Sequence, residues 1–161
     1  VMGINKSSLY ATYTNKEVLF NQAVELYLSM HGVVHSVELF KAELSLQQRI
    51  SNYLVSSAEM ITNESLPKGC FICQSTSEVT GSSLPENSVA IINTINKQTL
   101  LMLTEFFVKE QQAGNLSNES SSKVFANYLL TLQFGLAVSA RNGSTLEELK
   151  EIVHLSLILF K

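Results

Sequence analysis

The sequence predicts an all-α fold, and three observations predict it. Long stretches carry apolar residues at three- and four-residue spacing, with no sustained period-two alternation. Two prolines, Pro67 and Pro85, are all that interrupt 161 residues. Apolar residues make up 45% of the chain and charged residues 16%, which is enough to close a core and too apolar for a disordered chain.

In residues 16 to 42 the series Leu19, Ala23, Leu26, Met30, Val33 and Val37 steps by four and three, predicting one apolar stripe on a long helix. A second helix is expected after Ser45, where Ser45-Leu46-Gln47-Gln48 has the form of a capping box; Ile50, Leu54, Ala58 and Ile61 continue its face. Residues 62–68 are polar, end near Pro67 and read as a loop, followed by a short helix over about 70–79. Ser83-Leu84-Pro85-Glu86 is expected to put proline at the first helical position and glutamate where a capping box wants it. From there a long helix should run to Gly114, apolar on more than one side. A polar connection over 114–122 comes next, and Gly143 with Ser144-Thr145-Leu146-Glu147 marks a stop and restart between the last two helices.

Those two helices are apolar round much of their circumference, from Val124 to Val138 and from Leu146 to Phe160. One stripe can face the core of its own chain, and the surplus has two readings. A symmetric dimer could bury it in a four-helix bundle, two helices from each copy, or a larger core within one chain could absorb it. Low charge favours the dimer, since a monomer needs more polar residues to coat itself.

The formal net charge of -3 excludes a protein that coats nucleic acid along its whole surface, so any DNA contact must be local. No apolar run is long enough to span a bilayer, and the start lacks the order of a signal peptide. Cys70 and Cys73 are too few and too close to staple a domain of this size, which fits a reducing compartment. A cytoplasmic protein without a membrane partner is therefore expected.

The opening string from Gly3-Ile4-Asn5-Lys6-Ser7-Ser8-Leu9-Tyr10 through Ala11-Thr12-Tyr13-Thr14-Asn15-Lys16-Glu17 to Leu19 has a physical reading of its own. Gly3 permits a tight turn, Asn5 can cap the helix, and the capped terminus points free N–H groups at phosphate. Leu9 and Tyr13, four apart, can pack inward, leaving Lys6, Ser7, Ser8, Tyr10, Ala11 and Thr12 for a major groove and its walls. The order of these residues resembles the recognition helix and following helix of the TetR/AcrR family of transcriptional regulators. Beyond the first twenty or so residues the resemblance rests on helix order, on the Lys68-Gly69-Cys70 step and on the Gly143 break.

That resemblance implies a helix-turn-helix remnant over 1–20, followed by a ligand-binding and dimerisation bundle over 21–161. It also implies two further helices before Gly3. Lys6 and Ser7 would lie near base edges, Ser8, Tyr10 and Thr12 near base or phosphate, Ala11 close to bases and Lys16 on a phosphate. The partners it implies are operator DNA, a small-molecule effector and a second copy joined through the last two helices, with no cofactor. The effector cavity would lie inside the bundle, with Met30, Met60, Phe71, Gln74, Met102, Phe106 and Tyr128 as candidate contacts, although each taken alone reads as plain core before it reads as a ligand contact. Taken together this is a ligand-responsive repressor. A helical ligand-binding or interaction module without a DNA role, and a small helical enzyme or metal-storage bundle, are the alternatives. No spaced set of nucleophile, base and orienter supports an enzyme.

Cys70 and Cys73, three apart on an expected helix, can share a face as a redox or electrophile sensor or can be two small core residues. His31 and His35, four apart, have metal-ligand spacing on a helix, though exposed or capping histidines use the same spacing and no metal is expected. His154, alone on an apolar helix, reads as an interface or core histidine.

Overall fold

The computed structural model describes residues 5, 11–32, 34–81 and 83–160. Among these every regular element is helical. After a helical segment at 11–13 come α1 (Lys16–His31), a 3-10 turn (Ser36–Phe40), α2 (Leu46–Thr62), α3 (Phe71–Ser77), α4 (Glu86–Gln112), α5 (Ser122–Arg141), α6 (Leu146–Ser156) and a closing 3-10 turn (Leu157–Leu159). No described helix is long and apolar enough to cross a membrane.

Side chains cap the start of three of these helices, α1, α2 and α6. Asn15 accepts from the Val18 amide at 2.9 Å, and full capping boxes form at Ser45 with Gln48 and at Thr145 with Glu148. Gly143, at φ +105°, takes the left-handed conformation that ends α5 and lets α6 begin three residues later. The box expected at Ser83 is absent: Pro85 is itself the cap residue, Glu86 opens the helix and no side chain caps it. A proline in that position supplies no side-chain acceptor for the free amides.

The first long helix is shorter than its stripe predicted. It stops at His31, where the Gly32 amide closes on the Leu28 carbonyl at 2.8 Å, and the chain then turns to carry His35 into the bundle. The stripe itself points elsewhere than expected. Leu26 is 60% exposed and Met30 55%, whereas Val24, off the stripe, is buried against Ile72 and Ile92. The other exposed members of the series, Ala23 and Val37, likewise contribute nothing to the core; Val33 lies outside the described residues.

The main core is built by α2, α4, α5 and α6. Its densest part is aromatic: Phe107 stacks on Phe160 at 5.7 Å and 7°, with Phe106, Phe125 and Tyr128 around them. Beside it Arg49 of α2 holds Glu110 of α4 in a two-pronged ion pair at 2.9 and 2.6 Å. The same guanidinium donates to the Leu39 carbonyl at 3.1 Å and lies 5.5 Å from the Phe106 ring centre. Burial works to raise the Glu110 pKa, but the hydrogen bonds from Arg49 and Asn115 and the Arg49 charge outweigh it and hold the carboxyl below its ordinary value.

Candidate functional site

At the opposite end from the aromatic core, α1, α3 and the segment joining α2 to α3 surround an open cavity of about 430 Å³, within the roughly 300–1,000 Å³ range of small-molecule sites. Its body is apolar: Ala23, Leu26, Tyr27 and Met30 from α1, Met60 from α2, Leu66 and Pro67 from the connection, and Phe71 from α3. Its polar groups are His31, Lys68, Gln74 and Arg141. A smaller inner cavity of about 140 Å³ lies between Tyr27, His31, Met60 and Cys70, which line both spaces, and Tyr53, Met102 and Gln133 deeper in the bundle.

Gly69 fixes the connecting strap. Its φ of +91° disfavours any other residue, and a Cβ there would approach the Ala137 carbonyl to 3.2 Å. Its amide donates to the Ile61 carbonyl of α2 at 2.9 Å while the glycine lies against Ala137 and Arg141 at the end of α5, which puts Lys68 and Arg141 on one cavity. Arg141 donates to the Gln74 amide oxygen across it.

The wall between the cavities is made of soft and aromatic groups. The Tyr27 hydroxyl donates to Cys70 Sγ at 3.3 Å, and its ring contacts His31 and Phe71. Burial, reinforced by Cys70, pushes the Tyr27 hydroxyl pKa up. His35, behind Met60, is buried with Nδ1 2.8 Å from Ser56 Oγ and Nε2 3.4 Å from Met60 Sδ. A neutral ring with its proton on Nε2 satisfies both contacts; burial first, and His31 second, lower its pKa. Deeper in, Tyr53 donates to Gln133 Oε1 at 2.9 Å.

The structure brings some of the expected ligand contacts together and separates others. Met30, Met60, Phe71 and Gln74 line the open cavity, and Met102 lines the inner one. Phe106 and Tyr128 line neither: they belong to the aromatic cluster around Phe107 and Phe160. Tyr27, Leu26, Lys68 and Arg141 were not anticipated. The Lys68-Gly69 step, noted only as a family feature, was the available signal for the strap.

The shared helix face expected for Cys70 and Cys73 does not form. Cys70 precedes α3 in extended conformation, while Cys73 is inside it, buried and 3.7 Å from the Phe134 carbonyl. Both thiols are free, and burial pushes that of Cys73 up to about 11. His31 and His35 do not share a helix either, since α1 ends between them. Among the described residues no three metal-binding side chains cluster. His154 is exposed rather than core.

Of the residues expected at DNA, Lys6, Ser7, Ser8 and Tyr10 lie outside the described residues. Ala11, Thr12 and Lys16 are exposed, and Lys16 Nζ donates to the Ser83 carbonyl at 2.7 Å. Two more bonds fasten the foot of α1 to the start of α4, Asn87 to Glu17 at 2.8 Å and Ser88 to Asn21 at 2.9 Å. On α5, α6 and the closing 3-10 turn, Leu129, Leu136, Leu149 and Val153 turn inward, and Val124, Val138, Ile152, Leu155 and Ile158 are exposed.

No family model matches the sequence. The chain is 28% identical over 161 residues, 98% of this chain and 74% of the relative, to the HTH-type transcriptional repressor ComR of Escherichia coli strain K12. Among solved structures it is similar to a cysteine mutant of the TetR family transcriptional regulator CifR in complex with 26-base-pair operator DNA. That match has a TM-score of 0.78 and 24% identity, covering 99% of this chain and 82% of the other. A TetR regulator assigned to Rhodococcus sp. RHA1 matches with a TM-score of 0.69 and 23% identity, covering 99% and 83%. Reduced NemR of E. coli matches with a TM-score of 0.66 and 17% identity, covering 98% and 81%. The chain thus has the all-helical fold of the TetR-family regulators.

Proposed function

We propose, from this TetR-family fold and the likeness to a transcriptional repressor along 98% of the sequence, that the chain is a DNA-binding transcriptional repressor released from its operator by a small molecule. In this reading 1–20 is the distal part of a helix-turn-helix, and 21–161 binds ligand and dimerises. Lys6, Ser7, Ser8, Tyr10, Ala11 and Thr12 meet the groove, and Lys16 exchanges the Ser83 carbonyl for a phosphate.

The observation that carries the reading is the course of α1. Its first turn follows directly on the helical segment at 11–13 and is bonded to α4, and its last two turns form a wall of the open cavity. A guest pressing on Leu26, Tyr27 and Met30 therefore acts on the same rigid rod that carries the DNA-reading helix. Release requires the guest to bind the DNA-incompetent geometry more tightly, since equal affinity for both shifts nothing. A coupling of about 1–3 kcal/mol is the usual scale.

Two copies are held at a fixed groove spacing by the exposed apolar faces of α5 and α6. Selection of DNA from a random library by the protein as its gene encodes it should enrich a two-fold symmetric site bound with a steep salt dependence. No enrichment, or binding indifferent to salt, removes the DNA role. Sedimentation should give a dimer, and Leu155→Glu a monomer that no longer binds that site.

A further inference from the structure

We propose that the open cavity takes an amphipathic anion, an apolar body of ring or chain type ending in a carboxylate or comparable acid group. The inference deepens the reading of this cavity as the effector site and rests on it. Three observations point the same way. Lys68, Arg141 and His31 line the cavity and no acidic residue does, although the chain has more acidic than basic side chains, 14 against 11. The two permanent cations are brought to one cavity by construction, because Gly69 lays the strap onto the last turn of α5 beside Arg141.

The third observation is what those cations do in the protein itself. Arg141 spends a hydrogen bond on the neutral amide of Gln74, and none of the described ion pairs includes Lys68 or Arg141. Among the described residues their charge has no counter-charge. An apolar guest lying on Leu26, Met30, Met60 and Phe71 would exclude water from both groups, which makes an unpaired cation costly and a carboxylate opposite it valuable. A planar carboxylate also fits the guanidinium fork better than the single amide oxygen it would displace. The aromatic rings of Tyr27 and Phe71 could attract a cationic guest instead, but Lys68 and Arg141 would repel it.

Three probes with one body and different heads decide the matter: 2-naphthoate, 2-naphthamide and 2-naphthylmethylammonium, titrated into the purified protein and followed by calorimetry. Naphthoate should bind about tenfold tighter than the amide, the worth of a hydrogen-bonded charge, with the ammonium weakest. In K68Q/R141Q the naphthoate and amide affinities should converge to within about twofold, with the amide unchanged; Lys68→Glu alone should narrow the gap. Both residues are exposed, so thermal melts should match the parent. The inference is overturned if the amide or ammonium binds as tightly as naphthoate, if the preference survives the double substitution, or if none of the three binds. An operator-release assay separates the two claims. Selective naphthoate binding without release keeps the anion site and removes the effector role; release by a guest bound here without charge preference does the opposite.

Discussion

The two ends of the helical bundle use similar residues to opposite effect. At one end Phe106, Phe107, Phe125 and Phe160 fill the space between α4, α5 and the C-terminal turn, with Arg49 and Glu110 locked beside them. At the other, Met60, Phe71 and Tyr27 stand round a cavity of about 430 Å³ and a smaller one behind it. The difference lies in partners. The filled end has a carboxylate for its buried cation, and the hollow end has cations facing neutral groups and space. The filled end supplies a counter-charge for its buried cation and leaves Arg49 Nε as the buried polar atom without a partner, whereas the exposed cations of the hollow end have no counter-charge among the described residues.

The largest test of that contrast is at the filled end. Glu110→Ala should cost about 3–5 kcal/mol in chemical unfolding, because it leaves the Arg49 guanidinium buried without a counter-charge. Replacing both partners, as in Arg49→Met with Glu110→Leu, should cost far less than the single change. If the single substitution is as mild as a surface one, the filled end is not held by its ion pair and the contrast fails. Next in size is Gly143→Ala, in the turn that ties the cavity-lining end of α5 to the helix leading back to Phe160. At φ +105° a Cβ is strained even though nothing crowds it, and about 1–2 kcal/mol should be lost, read as a lower Tm.

Most of the fold was legible in the sequence because helix signals are local. Ser45 with Gln48, Gly143 and the proline-bounded strap each act within a few residues. The end of α1 was missed because the apolar stripe runs on past His31; Gly32, where the helix stops, was the local signal, and the burial of His35 between Ser56 and Met60 beyond it was not legible. The candidate site was legible in part. Apolar spacing cannot tell Met60, which borders a cavity, from Phe106, which fills a core, because both face the bundle interior. What separates them is the long-range pairing of Arg49 with Glu110, 61 residues apart, and no local pattern announces it.

Acid titration should separate the two ends by window. His35 at the hollow end has a pKa below its ordinary 6.5, so the unfolded chain takes up its proton first. Stability should begin to fall as pH drops below about 6.5 and go on falling until the folded pKa is passed. His35→Gln should flatten that portion of the curve. Glu110 acts lower. Its depressed folded pKa gives stability that is complete above the ordinary 4.5 and is lost as pH falls through the folded value. A stability curve flat from neutrality down to 4.5 would show that His35 is protonated as easily inside the protein as outside it.

The smallest expected effect discriminates most sharply. Met30 is 55% exposed on the cavity wall, so Met30→Ser removes little buried surface and should change stability by no more than about 0.5 kcal/mol. The same substitution strips part of the apolar body against which a guest lies. It should weaken 2-naphthoate and 2-naphthamide alike, by severalfold, because the lost contact is with the rings and not with the acid group. A residue that belonged to a packed core would behave the other way, with a large loss of stability and no common loss of binding. If Met30→Ser unfolds the protein as readily as a core truncation, the exposed stripe of α1 is structural after all, and the hollow end loses its distinction from the filled one.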